Sequence, residues 1–540
     1  MKILKTLFKL TIVMVLPLMV VSCREKEQEF SEPYGEGKAP LGIKIDASQT
    51  PVPESGLPGT EVTFKVTGLV PYQDEMIFRI SGEEAEVLSV TDSEVKVKVP
   101  DYASTGVVSI SVGEVVVFGP RFTVTGLIKL DPTFQATRGA NGTVAHILNT
   151  DDGKQILVGG FTNYDNKGII RPINRIVRIF PDGTYDASLR TGKGANGFLN
   201  SVVQYNNKFY IAGAFGGYGQ RGDNISNITM LNNNGSIDTM GVEPYRRPDQ
   251  TDTTKYYPTF NGGFNSSVDK MYLQDGKLLV TGNFRYYVTR TYDQPNRLEV
   301  RDTVILDSTQ VRQIARLNPD GTLDKTYRFN EGTNSSPDAG NGSINTYLHT
   351  EGELKDKLLV FGSFSTFDGA NKRYVTRLNA DGTIDETFNA GGEGPDYHVG
   401  SGSYNPETGK YLLTGSFRTY NGVASEQIVL LNADGTVDES FKPKLITGGY
   451  IQQARQLSDG KIVVSGYFKS YGGVYRDGFM ILESNGDLAP GYNATGAFSG
   501  SLWDIIETES EDGKRALLLI GSFWQFDGLP ANNIIRVTIE

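Results

Sequence analysis

The chain holds one cysteine, three histidines and two tryptophans in 540 residues. A lone cysteine excludes any intramolecular disulfide, and His146, His349 and His398 are too few for a dense Cys/His metal cluster. Positive charge is also short, with 52 Lys and Arg against 63 Asp and Glu and a net charge of −11. No broad basic surface is available to hold phosphates, which excludes nucleic acid as a partner class. Missing as well is an apolar run of the roughly 20 residues that a membrane-spanning helix needs. No G-x-S-x-G, H-E-x-x-H or phosphate-cradling glycine loop stands in a suitable context, so the reading is not an enzyme and predicts no cofactor. What is abundant is glycine, at 63, with 27 Tyr and 27 Phe, a balance that favours many strands joined by tight turns.

Lys2, Lys5 and Lys9 precede an uncharged apolar run from Leu10 to Val21. As a helix that run spans about 18 Å, too short to cross a bilayer, and it has the layout of a secretory signal peptide. Val20-Val21-Ser22-Cys23 resembles a bacterial lipobox, and the only cysteine of the chain stands at its end. The resemblance implies a signal peptide over 1–22, lipid attachment at Cys23 and an anchor made of acyl chains rather than of a polybasic patch. Glu25, Glu27 and Glu29, interrupted by Arg24 and Lys26, loosely resemble the surface-export signal of Bacteroides-type lipoproteins. The expected location is the outer membrane, facing the exterior. Residues 23–40, with Pro33, Gly35, Gly37 and Pro40, are expected to form a flexible tether.

Residues 41–126 alternate apolar and polar side chains, as in Val62-Thr-Phe64-Lys-Val66 and Val95-Lys-Val97-Lys-Val99. Such period-2 runs bounded by turn residues predict half-buried strands of a small β-sandwich. The segments Ser55 to Phe64, Val97 to Pro100 and Phe122 to Val124 resemble an IPT/TIG domain, which implies an immunoglobulin-like spacer or binding module.

From 127 to 540 the chain repeats itself. A G-x-F signature closes an apolar run at Gly159-Gly-Phe161, Gly213-Ala-Phe215, Gly282-Asn-Phe284, Gly362-Ser-Phe364, Gly415-Ser-Phe417, Gly466-Tyr-Phe468 and Gly521-Ser-Phe523. Each signature is followed by a loop, a strand and, in most copies, an Asp-Gly or Asn-Gly turn, the strongest short hairpin signal. About four antiparallel strands per unit make a propeller blade. The unit resembles the delta-60 repeat, best seen from Lys357 to Phe388, and implies an all-β chain with a seven-bladed propeller. The last unit stops without its final strand, while Leu130-Asp-Pro-Thr-Phe134 precedes the first unit and matches Ile384-Asp-Glu-Thr-Phe388. The N-terminal strand is therefore expected to close the ring.

Two long insertions, about 241–264 and 285–311, are expected side by side on the face opposite the tight turns. They carry Arg246, Tyr256, Tyr257, Tyr286 and Tyr292, and long aromatic loops on a rigid scaffold are where binding resides. Trp503 and Trp524, both in the last unit, are candidates for stacking on a sugar ring. Asp269 and Asp504 begin predicted innermost strands and face the channel beside Asn345 and Gln452. The aromatic column after G-x-F, from Tyr164 to Phe526, recurs in every unit and reads as packing. Arg178, Arg316, Arg377 and Arg536 recur at one strand position and are expected to pair with repeat carboxylates. The turn Asp320-Gly-Thr-Leu-Asp324 lacks the twelfth-position Glu of a calcium loop. The whole layout is similar to surface lipoproteins of polysaccharide-utilisation systems, which implies glycan capture, with an outer-membrane importer complex as a partner. The alternatives are a surface protein–protein scaffold and, further off, a propeller glycosidase or lyase that uses Asp269 and Asp504.

Overall fold

The computed structural model describes residues 41–242, 254–292 and 304–540. The expectations for the signal peptide, Cys23, the tether and Arg246 lie outside the described residues. Strands dominate, and the one helical element among the described residues is the 3-10 turn Val70–Tyr72. None of these residues forms a helix long and apolar enough to cross a membrane.

Within 44–124 the alternating runs build two facing sheets. One joins Lys44–Ile45, Glu61–Thr67, Glu94–Lys98 and Glu86–Val90; the other is centred on Met76–Ile80, Gly106–Val112 and Val115–Val124. Their inward residues form one core around Phe64, Phe78 and Phe122, with ring centroids 5.1 and 5.9 Å from Phe64. The sandwich is seated against the sixth and seventh units of the repeat region. Ala494 enters its core, and the Thr105 amide donates to the Ala494 carbonyl at 2.8 Å. Arg476, 2% exposed, donates to the carbonyls of Tyr102 and Tyr475, and burial brings its pKa down to about 10.

The described repeat region is built around seven successive sheets whose first strands are Val144–Asn149, Phe198–Tyr205, Val268–Gln274, Ile344–Leu348, Val399–Asn405, Tyr450–Gln456 and Ser499–Glu509, with four smaller sheets beside them. Each of these inner strands packs on the next, and the seventh returns to the first, so the sheets form a closed ring. Closure follows the expected route: Ile128–Leu130 pairs antiparallel with Ile534–Ile539, Ile128 opposite Ile539 and Leu130 opposite Val537. The early strand thus occupies the outer place in the last sheet and covers the edge of Ile534–Ile539.

The fourth strand of the other sheets is shorter than the sequence predicts. It is reduced to a single bridge, such as Leu378 with Ile384 or Leu431 with Val437. The cause is local. Asp385 accepts from the Thr387 amide and hydroxyl, an Asx turn that bends the chain out of the ladder. Its other oxygen takes Lys357 and Arg377, both at 2.7 Å. The expected arginine pairings recur as Arg178 with Asp186, Arg316 with Asp324 and Arg536 with Asp131. The Asp324 oxygens, once a candidate for calcium, are taken by Lys277, Arg316 and Thr326.

The aromatic column is buried as expected and has a second task. The hydroxyls of Tyr164, Tyr218, Tyr287, Tyr420 and Tyr471 donate to the carbonyls of the turn glycines 183, 235, 321, 435 and 486. In the fourth sheet Phe367 has no hydroxyl, and Arg328 supplies the donor to Gly382 at 2.6 Å instead. Tyr420→Phe is expected to cost about 1–2 kcal/mol, since it strands a buried carbonyl. A urea midpoint equal to that of the wild type would remove this role.

Candidate functional site

The centre of the ring is a channel of about 820 Å³, lined by residues from all seven inner strands. Six of these strands carry a register shift at the same place. In the first sheet Val144 faces Gly159 and His146 faces Val158, so Ala145 is an extra residue. The equivalent bulged residues are Asn200, Asp269, Gly400, Gln452 and Trp503, and Asn345 holds the same position in the unshifted fourth strand. A bulge re-aims a side chain, and all seven of these residues line the channel.

The signature glycine makes the device fit. Gly159, Gly213, Gly282, Gly362, Gly415, Gly466 and Gly521 stand opposite the residue before each ring position. A Cβ on any of them would run into the main-chain carbonyl of the inner strand, from Thr143 in the first sheet to Ser501 in the seventh. The backbone device is repeated round the ring while its side chains differ at each sheet. A symmetric scaffold thereby presents an asymmetric set: Ala, Asn, Asp, Asn, Gly, Gln and Trp.

Aromatic rings gather on one side of this set. Trp503, 42% exposed, meets Phe198 at 5.8 Å across the first sheet, whose own ring residue is only Ala145. Ser501 lies two residues before Trp503 and shares a 2.9 Å hydrogen bond with the Tyr467 hydroxyl, and Tyr467 packs on Tyr450 at 5.5 Å. Tyr450 and Tyr467 are both exposed. Opposite Trp503 the ring presents Asp269 and Asn345. Burial lifts the Asp269 carboxyl above its ordinary range, while Lys270 and a hydrogen bond from Ser267 hold it down.

One layer further along the channel the side chains serve the scaffold. His146 Nδ1 accepts from the Val202 amide of the next sheet, and Ser201 Oγ accepts in the same way from the Met271 amide. Burial holds His146 neutral, with a pKa of about 3. Its proton therefore sits on Nε2.

The channel lining includes Asp269, Asp504, Asn345 and Gln452, the residues expected there, and also Trp503, for which no channel position was expected. Asp269 and Asp504 are not equivalent, however, because the ring partner of Asp269 is Trp503. Trp524 is 62% exposed on the strand Arg515–Phe526. The insertions lie side by side, but on the outer flank rather than on the face opposite the turns. The hairpin begun by Thr239–Val242 starts just past the Asn234-Gly235 turn, whereas that of Tyr286–Tyr292 starts at the other end of its sheet and runs back along Gly263–Phe264. They meet where Tyr257 stacks on Tyr292 at 4.3 Å. Tyr292 is consequently buried, its hydroxyl bound to the Pro258 carbonyl, and is not available to a ligand. Tyr256 and Tyr286 stay exposed. Beside them a second hollow, of about 800 Å³, is lined by Arg190, Tyr218, Arg221 and Asp223, and Arg221 donates to the Tyr256 carbonyl.

Sequence reasoning missed Phe198, Tyr450 and Tyr467, which lie far apart along the chain. The G-x-F glycine was the signal that marked the ring, since a strand glycine repeated in every unit reports a close backbone approach.

One family model supports a propeller in the repeat region. Residues 19–120 match a domain of unknown function, DUF5008. Residues 302–327, 356–388, 408–441 and 457–491 match the DUF5122 beta-propeller, also of unknown function. No curated protein matches the chain. Similar solved structures include the WD40 beta-propeller domain of Doa1, 14% identical, covering 77% of this chain and 97% of that one with a TM-score of 0.39. An auxiliary nutrient binding protein from Bacteroides ovatus is 11% identical over 92% of this chain and 97% of its own, TM-score 0.34. One of the same description from Bacteroides thetaiotaomicron is 12% identical over 92% and 98%, TM-score 0.25. Alignments this loose carry no argument.

Proposed function

We propose that the protein is a non-catalytic binding module that captures glycans at the mouth of its channel. The observation that carries this reading is the arc of Tyr450, Tyr467 and Trp503 beside a ring that presents the amides of Asn200, Asn345 and Gln452. Flat aromatic faces accept the apolar face of a sugar, and amide groups beside them suit its hydroxyls, which both donate and accept. The proposal extends to location: a lipid-anchored protein at the cell exterior, held through Cys23, that passes its glycan to an outer-membrane importer. The sandwich, fixed to the sixth and seventh sheets by Arg476 and Ala494, would hold the channel at a set angle to that anchor.

A second reading, a protein-interaction scaffold, draws on the exposed Tyr256 and Tyr286 of the flank. A hydrolase reading draws on Asp269 and Asp504, which both line the channel.

Affinity electrophoresis against neutral glucans, mannans and xylans tests the first reading. The wild type is expected to be retarded by at least one of them, and Trp503→Ala to weaken that binding about tenfold, equivalent to about 1.4 kcal/mol. If none of the polysaccharides slows the protein, glycan capture is wrong.

A further inference from the structure

We infer that the channel takes its ligand end-on, the terminal sugar of a neutral glycan passing the aromatic arc and seating within the ring of Asp269, Asn345, Gln452 and Trp503. This rests on the glycan reading and adds to it how the sugar is held and which part of the chain is recognised.

Three observations converge. The sheets form a closed ring whose last member is completed by Ile128–Leu130, so no gap between sheets admits a chain from the side. Whatever occupies the channel has a free end or is small. The channel's volume, about 820 Å³, falls within the roughly 300–1,000 Å³ of small-ligand sites.

The ring is also chemically divided. Trp503 offers a flat apolar face on one side, while Asp269 and Asn345 stand across from it. A sugar lowered between them has its apolar face on the indole and its hydroxyl edge toward the carboxyl and the amide. A glycan lying across the mouth would meet only the arc and leave those groups unengaged.

Finally, Asp269 lines the channel half-buried, and burial lifts its carboxyl above the ordinary range. A half-buried acid gains from a hydroxyl donor brought by a ligand that reaches the ring, and a ligand held at the rim brings none.

Gly400 makes the inference testable without touching the arc. It is the ring residue of the fifth sheet, and a Cβ there meets nothing closer than 3.7 Å, so a large side chain fits into the channel rather than into the sheet. Gly400→Phe is expected to weaken binding of short neutral oligosaccharides about tenfold or more, with the thermal melt unchanged. In parallel, oligosaccharides blocked at both ends by bulky groups, and cyclic ones, are expected to bind about tenfold more weakly than free linear ones. Equal binding by Gly400→Phe and wild type, or by blocked and free oligosaccharides, overturns end-on seating while leaving capture at the mouth intact. If no oligosaccharide binds the wild type, both readings fall together.

Discussion

Asp131→Ala is expected to lower stability by about 3–5 kcal/mol, the penalty for removing one partner of a buried ion pair. Asp131 and Arg536 have side chains only 0% and 3% exposed. The pair does more than join two charges. Asp131 accepts from the Thr133 amide and hydroxyl at 2.8 and 2.7 Å, and Arg536 donates to Thr133 and to the Pro181 carbonyl while lying 5.1 Å over Phe134. These contacts tie an early segment to the last strand, about four hundred residues away in sequence, and so hold the ring shut. Asp438, which pairs with Lys410 alone at 14% and 28% exposure, offers the comparison. Asp438→Ala leaves a lysine free to reach water and is expected to cost about 1 kcal/mol. Both tryptophans lie in the closing sheet, so the urea midpoint of tryptophan fluorescence reports on closure directly. If the two variants lose stability equally, the Asp131–Arg536 pair has no special part in closure.

Why closure is legible in the sequence follows from its chemistry. The match of Leu130-Asp-Pro-Thr-Phe134 to Ile384-Asp-Glu-Thr-Phe388 is a match of function at four of the five positions: a ladder residue, an acid that caps its own turn, a hydroxyl that completes the cap, and an aromatic that packs under the arginine. Local hydrogen bonding of this kind is written in adjacent residues. The same Asx turn explains one failure, since an acid that bends its own backbone competes with the ladder and leaves one bridge where a full strand was expected.

The site was less legible because its parts are joined only by the ring. Phe198 and Trp503 come from the second and seventh sheets, and nothing local links them. The face on which the insertions lie was misplaced for a related reason. Counting strand directions located the start of each hairpin but could not foresee that Tyr286–Tyr292 would turn back and pair with Gly263–Phe264. Tyr292, attractive as an exposed aromatic, was used up in joining the two hairpins. By contrast Asp269, Gln452 and Trp503 were within reach, for each directly follows the apolar residue that faces a signature glycine.

Acidification is the second condition expected to have a large effect, and its sign can be worked through. Burial brings both His146 and His349 down to about 3, from an ordinary value near 6.5. His349 is 2% exposed and accepts from the Tyr411 hydroxyl at 2.7 Å, which is held in turn by Arg377 at 3.0 Å. Above pH 6.5 both imidazoles are neutral in the folded and unfolded chain alike. As pH falls from 6.5 toward 3 the unfolded chain binds protons that the folded one refuses, so stability is lost at about 1.4 kcal/mol per pH unit for each histidine. Asp186, Asp324 and Asp385, whose carboxyls are held below the ordinary range by their Lys, Arg and hydroxyl partners, add a further loss below about pH 3.8. Asp269, Asp356 and Asp527 act the other way, because burial raises them and lets the folded state hold protons more readily. The net pH profile therefore mixes signs, and the clean measurement is a difference. His349→Gln keeps an acceptor for Tyr411 but cannot titrate. At pH 5 it is expected to reduce proton uptake on unfolding, measured by calorimetry in buffers of different ionisation enthalpy, by about one proton relative to wild type. An unchanged uptake would mean that His349 is already protonated in the fold, and the buried Tyr411–Arg377 chain would then have to carry a second positive charge.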